Sequence, residues 1–248
     1  MSYTLHLGDC LDILPTLASG SVDAVVTDPP YGIGYASNWK FAPDGTPRKT
    51  GAAFGADEFD PRWIPEAYRV LKADSFLYCF TRWDMAGLWL EEFKRVGFVP
   101  VQRLIWDKCH WKMGDLGNYG SQVEDVLLFA KGRAIMFDGG KGRGGNIFRY
   151  SSAFLPEGQY DHPTQKPVNL LRRYIVDATR YGDTVCDPFV GSGSAGVAAI
   201  LEGRRFVGVE ISPTYHAIAV KRCADAAAQP FLIPHVEQPQ ARQEVMEL

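Results

Sequence analysis

The chain has 248 residues, 46% of them hydrophobic, and a formal net charge of −3, which fits one large α/β domain, or a domain with a small insertion, with a substantial core. The charge gives no hint of a nucleic-acid partner, which would have to meet a local basic surface. No stretch approaches the ~18 apolar residues of a membrane-spanning helix, and the opening Met1-Ser2-Tyr3-Thr4-Leu5-His6 lacks the basic-then-apolar pattern of a signal peptide. The five cysteines, Cys10, Cys79, Cys109, Cys186 and Cys223, are odd in number and never spaced Cys-x-x-Cys, so reduced thiols in a cytoplasm are expected, with neither a disulfide framework nor a structural zinc.

In chain order, Tyr3 to Leu7 reads as a short strand running into Gly8-Asp9-Cys10, and a helical stretch begins at Leu11. The apolar run Ala24-Val25-Val26 follows, closed abruptly by Asp28-Pro29-Pro30-Tyr31, which is the pattern of a buried strand stopped by proline. That places a carboxylate at the carboxyl end of a strand, where open α/β sheets bind ligands. The Asp28 carboxylate and the Pro29 carbonyl can each accept a hydrogen bond from an amino group, and the Tyr31 ring offers a flat face to a heterocycle. Taken alone, Asp-Pro-Pro reads equally as a stiff turn.

Residues Gly32 to Asp60 are rich in Gly, Ala, Asp and Pro and contain Arg48-Lys49, the composition of a long functional loop. A helix is predicted near Pro61 with Ile64, Tyr68 and Leu71 on one face, then a strand over Ser75 to Phe80 and an amphipathic helix over Trp83 to Arg95. Strands follow over Phe98 to Trp106 and Val123 to Ala130. The stretch Lys131 to Tyr160 turns glycine-rich and basic and reads as an inserted loop region with little core of its own. Alternation then resumes with a helix from Pro167 to Arg180, a strand over Thr184 to Cys186, a helix over Ser194 to Leu201 and a strand over Phe206 to Glu210. A last helix is capped by Ser212 with Pro213 at its first position. Such alternation predicts a doubly wound, mostly parallel α/β sheet, in a catalytic domain over residues 1–228 with residues 229–248 as a flexible tail.

A second constellation, Asp187-Pro188-Phe189-Val190-Gly191-Ser192-Gly193-Ser194-Ala195-Gly196, follows a strand and opens a helix. Its glycines let the backbone approach a ligand, and Glu210 ends the next strand, where an acid can hold the two hydroxyls of a ribose. Gly191-x-Gly193-x-x-Gly196 matches the dinucleotide fingerprint, which keeps a nicotinamide-dependent oxidoreductase open. The intervening Asp187-Pro188-Phe189 suits an adenosine-type ligand that has no pyrophosphate, and a plain glycine turn packing helix on strand is the bland reading. One strand end for a nucleoside cofactor and another for an aromatic amine together describe methyl transfer from S-adenosylmethionine to an amino nitrogen.

On these motifs the chain resembles the amino-group DNA methyltransferases, which modify adenine or cytosine on the exocyclic nitrogen. The acceptor motif precedes the cofactor loop, an order similar to that of the circularly permuted β subclass. Gly8-Asp9-Cys10, His162-Pro163-Thr164-Gln165-Lys166-Pro167 and Val209-Glu210-Ile211-Ser212-Pro213 also match, and the likeness runs from about Leu5 to Arg222.

The resemblance implies a seven-stranded, Rossmann-like methyltransferase sheet that uses S-adenosylmethionine. Asp28, Pro29, Pro30 and Tyr31 would be catalytic. Asp9 and Cys10 would lie at the adenine of the cofactor, Glu210 at its ribose, Asp187, Phe189, Gly191, Ser192 and Gly193 along its body, and Thr164, Gln165 and Lys166 at its methionine end, with Asp28 nearby. Asp9 also reads as a simple cap, and Lys166 as a helix-flanking lysine. Double-stranded DNA is the implied substrate, with the target base flipped out of the stack. Residues 131–160 are the candidate target-recognition insertion. Arg133, Lys141, Arg143 and Arg149 there, and Lys40, Arg48 and Lys49 after the acceptor motif, are candidate DNA contacts. Asp at the head of the acceptor motif leans toward adenine N6 over cytosine N4. RNA methylation, a catalytically silent DNA-binding module, a homodimer, and a cognate restriction endonuclease or its absence all stay open. No histidine spacing suits a metal, and no membrane role is expected.

Overall fold

The computed structural model describes residues 2–30, 39–41, 47–49, 59–110, 119–136, 144–151 and 165–229, with backbone only at 39–41 and 47–49. In chain order the elements are β1 (Tyr3–Leu7), α1 (Cys10–Ile13), β2 (Val22–Thr27), β3 (Trp39–Phe41), β4 (Pro47–Lys49), α2 (Ile64–Val70), β5 (Leu71–Thr81), α3 (Ala86–Val96), β6 (Val99–Asp107), β7 (Val123–Lys131), β8 (Ile147–Arg149), α4 (Val168–Ala178), β9 (Thr184–Asp187), α5 (Ser194–Leu201), β10 (Arg205–Glu210) and α6 (Pro213–Ala228).

Among the described residues the main sheet has eight strands in the order β1-β10-β9-β2-β5-β7-β6-β8, and β3 and β4 form a separate two-stranded sheet. Strands β1, β10, β9, β2 and β5 pair in parallel. β7 is antiparallel to both β5 and β6, and β8 returns parallel to β6, so β7 alone is reversed. The central strands are apolar on both faces because helices cover both. Ala24 and Val26 of β2, with Phe76, Tyr78 and Phe80 of β5, enter one core with α4, α5 and α6. The alternate residues Val25, Leu77 and Cys79 enter the other core with α1, α2 and α3.

Most predicted elements stand where the sequence places them, with three differences. Leu71 starts β5 instead of lying on α2, whose buried face is Ile64, Ala67 and Val70. The segment after the acceptor motif contains the β3–β4 hairpin, with Lys40 opposite Arg48 and Trp39 opposite Lys49. The third lies between 131 and 160, where β8 adds an eighth strand to the seven expected. Phe148 packs edge-on against Tyr174 at 5.0 Å, and Trp106 Nε1 donates to the Tyr150 carbonyl at 2.8 Å. Part of this stretch therefore belongs to the core. Residues 230–248 of the predicted tail lie outside the described residues. Among the described residues no helix is long and apolar enough to cross a membrane.

Gly208 on β10 shows how tightly the sheet meets the loop after β9. A Cβ there would lie 2.3 Å from Val190 Cγ2 and 2.7 Å from the Phe206 ring, so any side chain forces movement. Gly208→Ala is expected to lower unfolding free energy by about 1–3 kcal/mol, measured by urea denaturation, and a stability equal to wild type would contradict this packing.

Candidate active site

The sheet order changes direction between β9 and β2. From β9 the chain passes through α5 to β10 on one side, and from β2 through α2 to β5 on the other. Such a switch point opens a crevice beyond the carboxyl ends of the strands. Asp28 leaves β2 and Asp187 ends β9 at this point, and the two strands pair at Ala24 with Val185 and Val25 with Cys186. Thr27 Oγ1 donates to Asp187 Oδ1 at 2.8 Å, a buried bond that ties the two motifs together. Asp187 Oδ1 also accepts the Phe189 N–H at 3.0 Å. Burial pushes the Asp187 carboxyl up to about 7, against those two hydrogen bonds and with the charges of Asp28 and Glu210 adding to the rise.

On the β10 side, Glu210 is buried, and its pKa is raised by that burial although backbone donors oppose the shift. Its Oε2 accepts Gly191 N–H at 2.7 Å and its Oε1 accepts Ser212 N–H at 2.8 Å. Each oxygen keeps acceptor capacity after one such bond. Gly191 and Gly193 hold φ of +54° and +87°, a region that strongly favours glycine. At Gly193 a Cβ would lie 2.9 Å from the Ala219 backbone, so that glycine also serves the packing of the loop on α6. Ser192 turns inward: the buried Arg222 guanidinium of α6 donates to its carbonyl at 2.7 Å and its hydroxyl at 3.0 Å. Phe189 meets Trp63 edge-on at 5.4 Å. Across β1, Asp9 caps α1 by accepting Leu11 N–H at 2.9 Å. Burial, reinforced by the Asp9 charge, pushes the adjacent Cys10 thiol up to about 12.

On the β2 side, Pro29 is buried and Pro30 exposed. Lys166, only 7% exposed, sets its ammonium 2.7 Å from Asp28 Oδ2 and 3.2 Å from Glu124 Oε2 of β7. Lys108 pairs with the other Glu124 oxygen at 2.9 Å. The Lys166 ammonium also lies 5.2 Å from the Phe80 ring centroid. Burial opposes the charged form of Lys166, but the Asp28 and Glu124 carboxylates outweigh it and raise the pKa. Burial likewise works against the Glu124 carboxylate, and Lys166 and Lys108 together hold its pKa below the usual value. Beside Lys166, Gln165 Nε2 is a buried donor with no hydrogen-bond partner among the described residues.

Asp9, Cys10, Asp28, Pro29, Gln165, Lys166, Asp187, Phe189, Gly191, Ser192, Gly193 and Glu210 thus stand along one edge of the sheet or in the loops leaving it. Tyr31, Thr164, Lys141 and Arg143 lie outside the described residues, as do the side chains of Lys40, Arg48 and Lys49. Arg149 is on the same edge, exposed, and 3.3 Å from Asp107. Arg133 is not. Its N–H bonds Asp74 near the start of β5, and β5 pairs with β7 from Ser75 opposite Lys131 to Thr81 opposite Asp125. Six residues of strand, about 20 Å, put Arg133 at the opposite edge. The sequence reading missed Glu124, Lys108 and Arg222, whose side chains acquire meaning only through partners distant in the chain.

The Asp187 carboxyl has a folded-state pKa of about 7 against an ordinary 3.8. The folded state therefore holds the proton more tightly. This contribution to stability is full below the unfolded value and is lost as pH rises through about 7. Asp187→Asn, which keeps an acceptor oxygen, is expected to remove up to about 4 kcal/mol of the wild type's fall in unfolding free energy between those two values. Denaturant melts at several pH values would show it, and parallel profiles for variant and wild type would count against a protonated Asp187.

Comparisons with known proteins bear on the fold and the family. The N6/N4 methyltransferase family model, described as DNA methylase, matches residues 22–221. "Putative methylase YubD" of Escherichia coli (strain K12) is 31% identical over 228 residues, covering 88% of each chain. "DNA adenine methyltransferase YhdJ" of the same organism is 29% identical, covering 88% of this chain and 82% of its own. Among solved structures, M1.HpyAVI in complex with SAM superposes with a TM-score of 0.67 at 23% identity, covering 89% of this chain and 99% of that one. PvuII DNA methyltransferase, cytosine-N4-specific, gives 0.67 at 17% identity, covering 90% and 86%. A methyltransferase sheet with its switch-point crevice and a family match across most of the chain lead to one assignment: the chain belongs to the N6/N4 DNA methylase family.

Proposed function

We propose that this DNA methyltransferase transfers a methyl group from S-adenosylmethionine to the exocyclic N6 of adenine in double-stranded DNA, acting on a base turned out of the helix. The observation that carries the reading is the Thr27–Asp187 bond, which sets the Asp28 carboxylate and the 187–193 loop on neighbouring strand ends. The donor set suits the cofactor. Glu210 offers acceptor capacity to ribose hydroxyls, Phe189 and the glycines a close backbone face, and Gln165 Nε2 a buried donor without a partner among the described residues that fits the methionine end. When bound, S-adenosylmethionine supplies an electrophilic methyl group on a sulfonium.

The chain's own work lies at the acceptor. An exocyclic amine is a weak nucleophile because its lone pair is delocalised into the ring. The Asp28 carboxylate and the Pro29 carbonyl, accepting its two N–H groups, localise that lone pair and aim it. Loss of the proton can follow attack, so Asp28 acts as acceptor and relay without being a strong base. Tyr31 provides a stacking face worth about 1–3 kcal/mol, against the few kcal/mol that flipping costs. Holding the two reactants in line contributes roughly 7–11 kcal/mol to rate enhancement. Asp at the head of the motif favours adenine, as does the 29% identity to the DNA adenine methyltransferase YhdJ.

Asp28→Ala is expected to lower methyl transfer to duplex DNA roughly 10²–10⁴-fold while leaving S-adenosylmethionine affinity nearly intact. Transfer of labelled methyl groups, followed by nucleoside analysis, checks both parts. Wild-type turnover in the variant would overturn the acceptor role, and N4-methylcytosine as product would overturn adenine. Arg149→Ala is expected to reduce the slope of log affinity for duplex DNA against log salt by about one. An unchanged slope would remove Arg149 from the DNA face.

A further inference from the structure

The charged groups Lys108, Glu124, Lys166 and Asp28 form a chain of alternating sign running from the end of β6 across β7 to the acceptor motif. Lys166 is almost wholly enclosed and bridges two carboxylates from different strands. Burying such ions costs several kcal/mol each, and apolar residues of similar volume would hold a core at least as well. A stability role is therefore a poor account of the network. Its position is informative: the last link is the residue whose carboxylate orientation sets the path of the amine.

We propose that Glu124 is a positioning residue for methyl transfer, acting through Lys166 to fix the Asp28 carboxylate. This rests on the reading of Asp28 as the amine acceptor. Glu124 anchors the Lys166 ammonium from β7, while the Phe80 ring, 5.2 Å away, limits where it can move. Lys166 in turn holds Asp28 Oδ2 at 2.7 Å and balances its charge. A carboxylate has about four lone-pair sites, so this contact leaves capacity for the N–H of the substrate. The resemblance placed Lys166 at the methionine end of the cofactor; the geometry points to the acceptor end.

The test compares Glu124→Gln, Lys166→Met and Lys166→Arg with wild type in single-turnover methyl transfer at saturating S-adenosylmethionine and DNA. S-adenosylhomocysteine, which carries the same amino-acid end as the cofactor, is titrated by calorimetry on the same proteins. Glu124→Gln and Lys166→Met are expected to slow transfer about 10- to 100-fold, as removal of outer partners of functional groups does, with S-adenosylhomocysteine affinity nearly unchanged. Lys166→Arg is expected to recover much of the rate. A wild-type saturated rate with weakened S-adenosylhomocysteine binding would assign Lys166 to the cofactor and overturn the proposal. Wild-type values throughout would overturn it equally. Should Lys166→Met fail to fold, the near-isosteric Glu124→Gln decides alone. An active Asp28→Ala enzyme would instead sink the acceptor reading itself, whatever the Glu124 variant does.

Discussion

The hydrogen bond from Thr27 to Asp187 joins residues 160 positions apart, and the site exists because those two residues are neighbours. Parallel pairing of β2 with β9 brings their carboxyl ends level, and the outward divergence of the following connections leaves the crevice between them. The acceptor motif leaves the end of β2 and the 187–193 loop leaves the end of β9. A parallel sheet buried on both faces is rigid, so the separation between the two motifs is set by backbone geometry and not by flexible side chains.

That arrangement crowds three acids, Asp28, Asp187 and Glu210, at one end of the sheet, and the fold manages each differently. Asp28 receives a buried ammonium from Lys166. Asp187 is fully buried, takes a hydroxyl and an amide as donors, and shifts toward the neutral form. Glu210 takes backbone N–H groups from the turns on either side. The upward shift of Asp187 lessens the negative charge between the other two. In the proposed reading, the acid balanced by a salt link receives the amine, and the one that accepts backbone amides receives the ribose hydroxyls.

Much of this was readable from the chain because the signals are local. The run Ala24-Val25-Val26 stopped by two prolines, the Ser212-Pro213 start of α6, and glycines in a strand-to-helix turn each record a backbone requirement within a few residues. The three-residue strand Ile147–Arg149 was not legible. It is too short for alternation to register, and its place is fixed by Trp106 and Tyr174 from elsewhere. Arg133 failed in another way: a basic residue in a glycine-rich stretch carries no information about which end of a strand it occupies. Lys166 stands out by its motif, but its partners come from the end of β2 and from β7. Only tertiary pairing reveals that they share one ammonium.

The most direct test is a crystal structure of the protein with S-adenosylhomocysteine and a duplex carrying the target base. The account predicts the nucleoside along residues 187–193 with its ribose on Glu210, and the extruded base hydrogen-bonded to Asp28 with its amino nitrogen about 3–3.5 Å from where the methyl carbon would stand. A nucleoside bound elsewhere, or a target base whose amino group points away from Asp28, would contradict it.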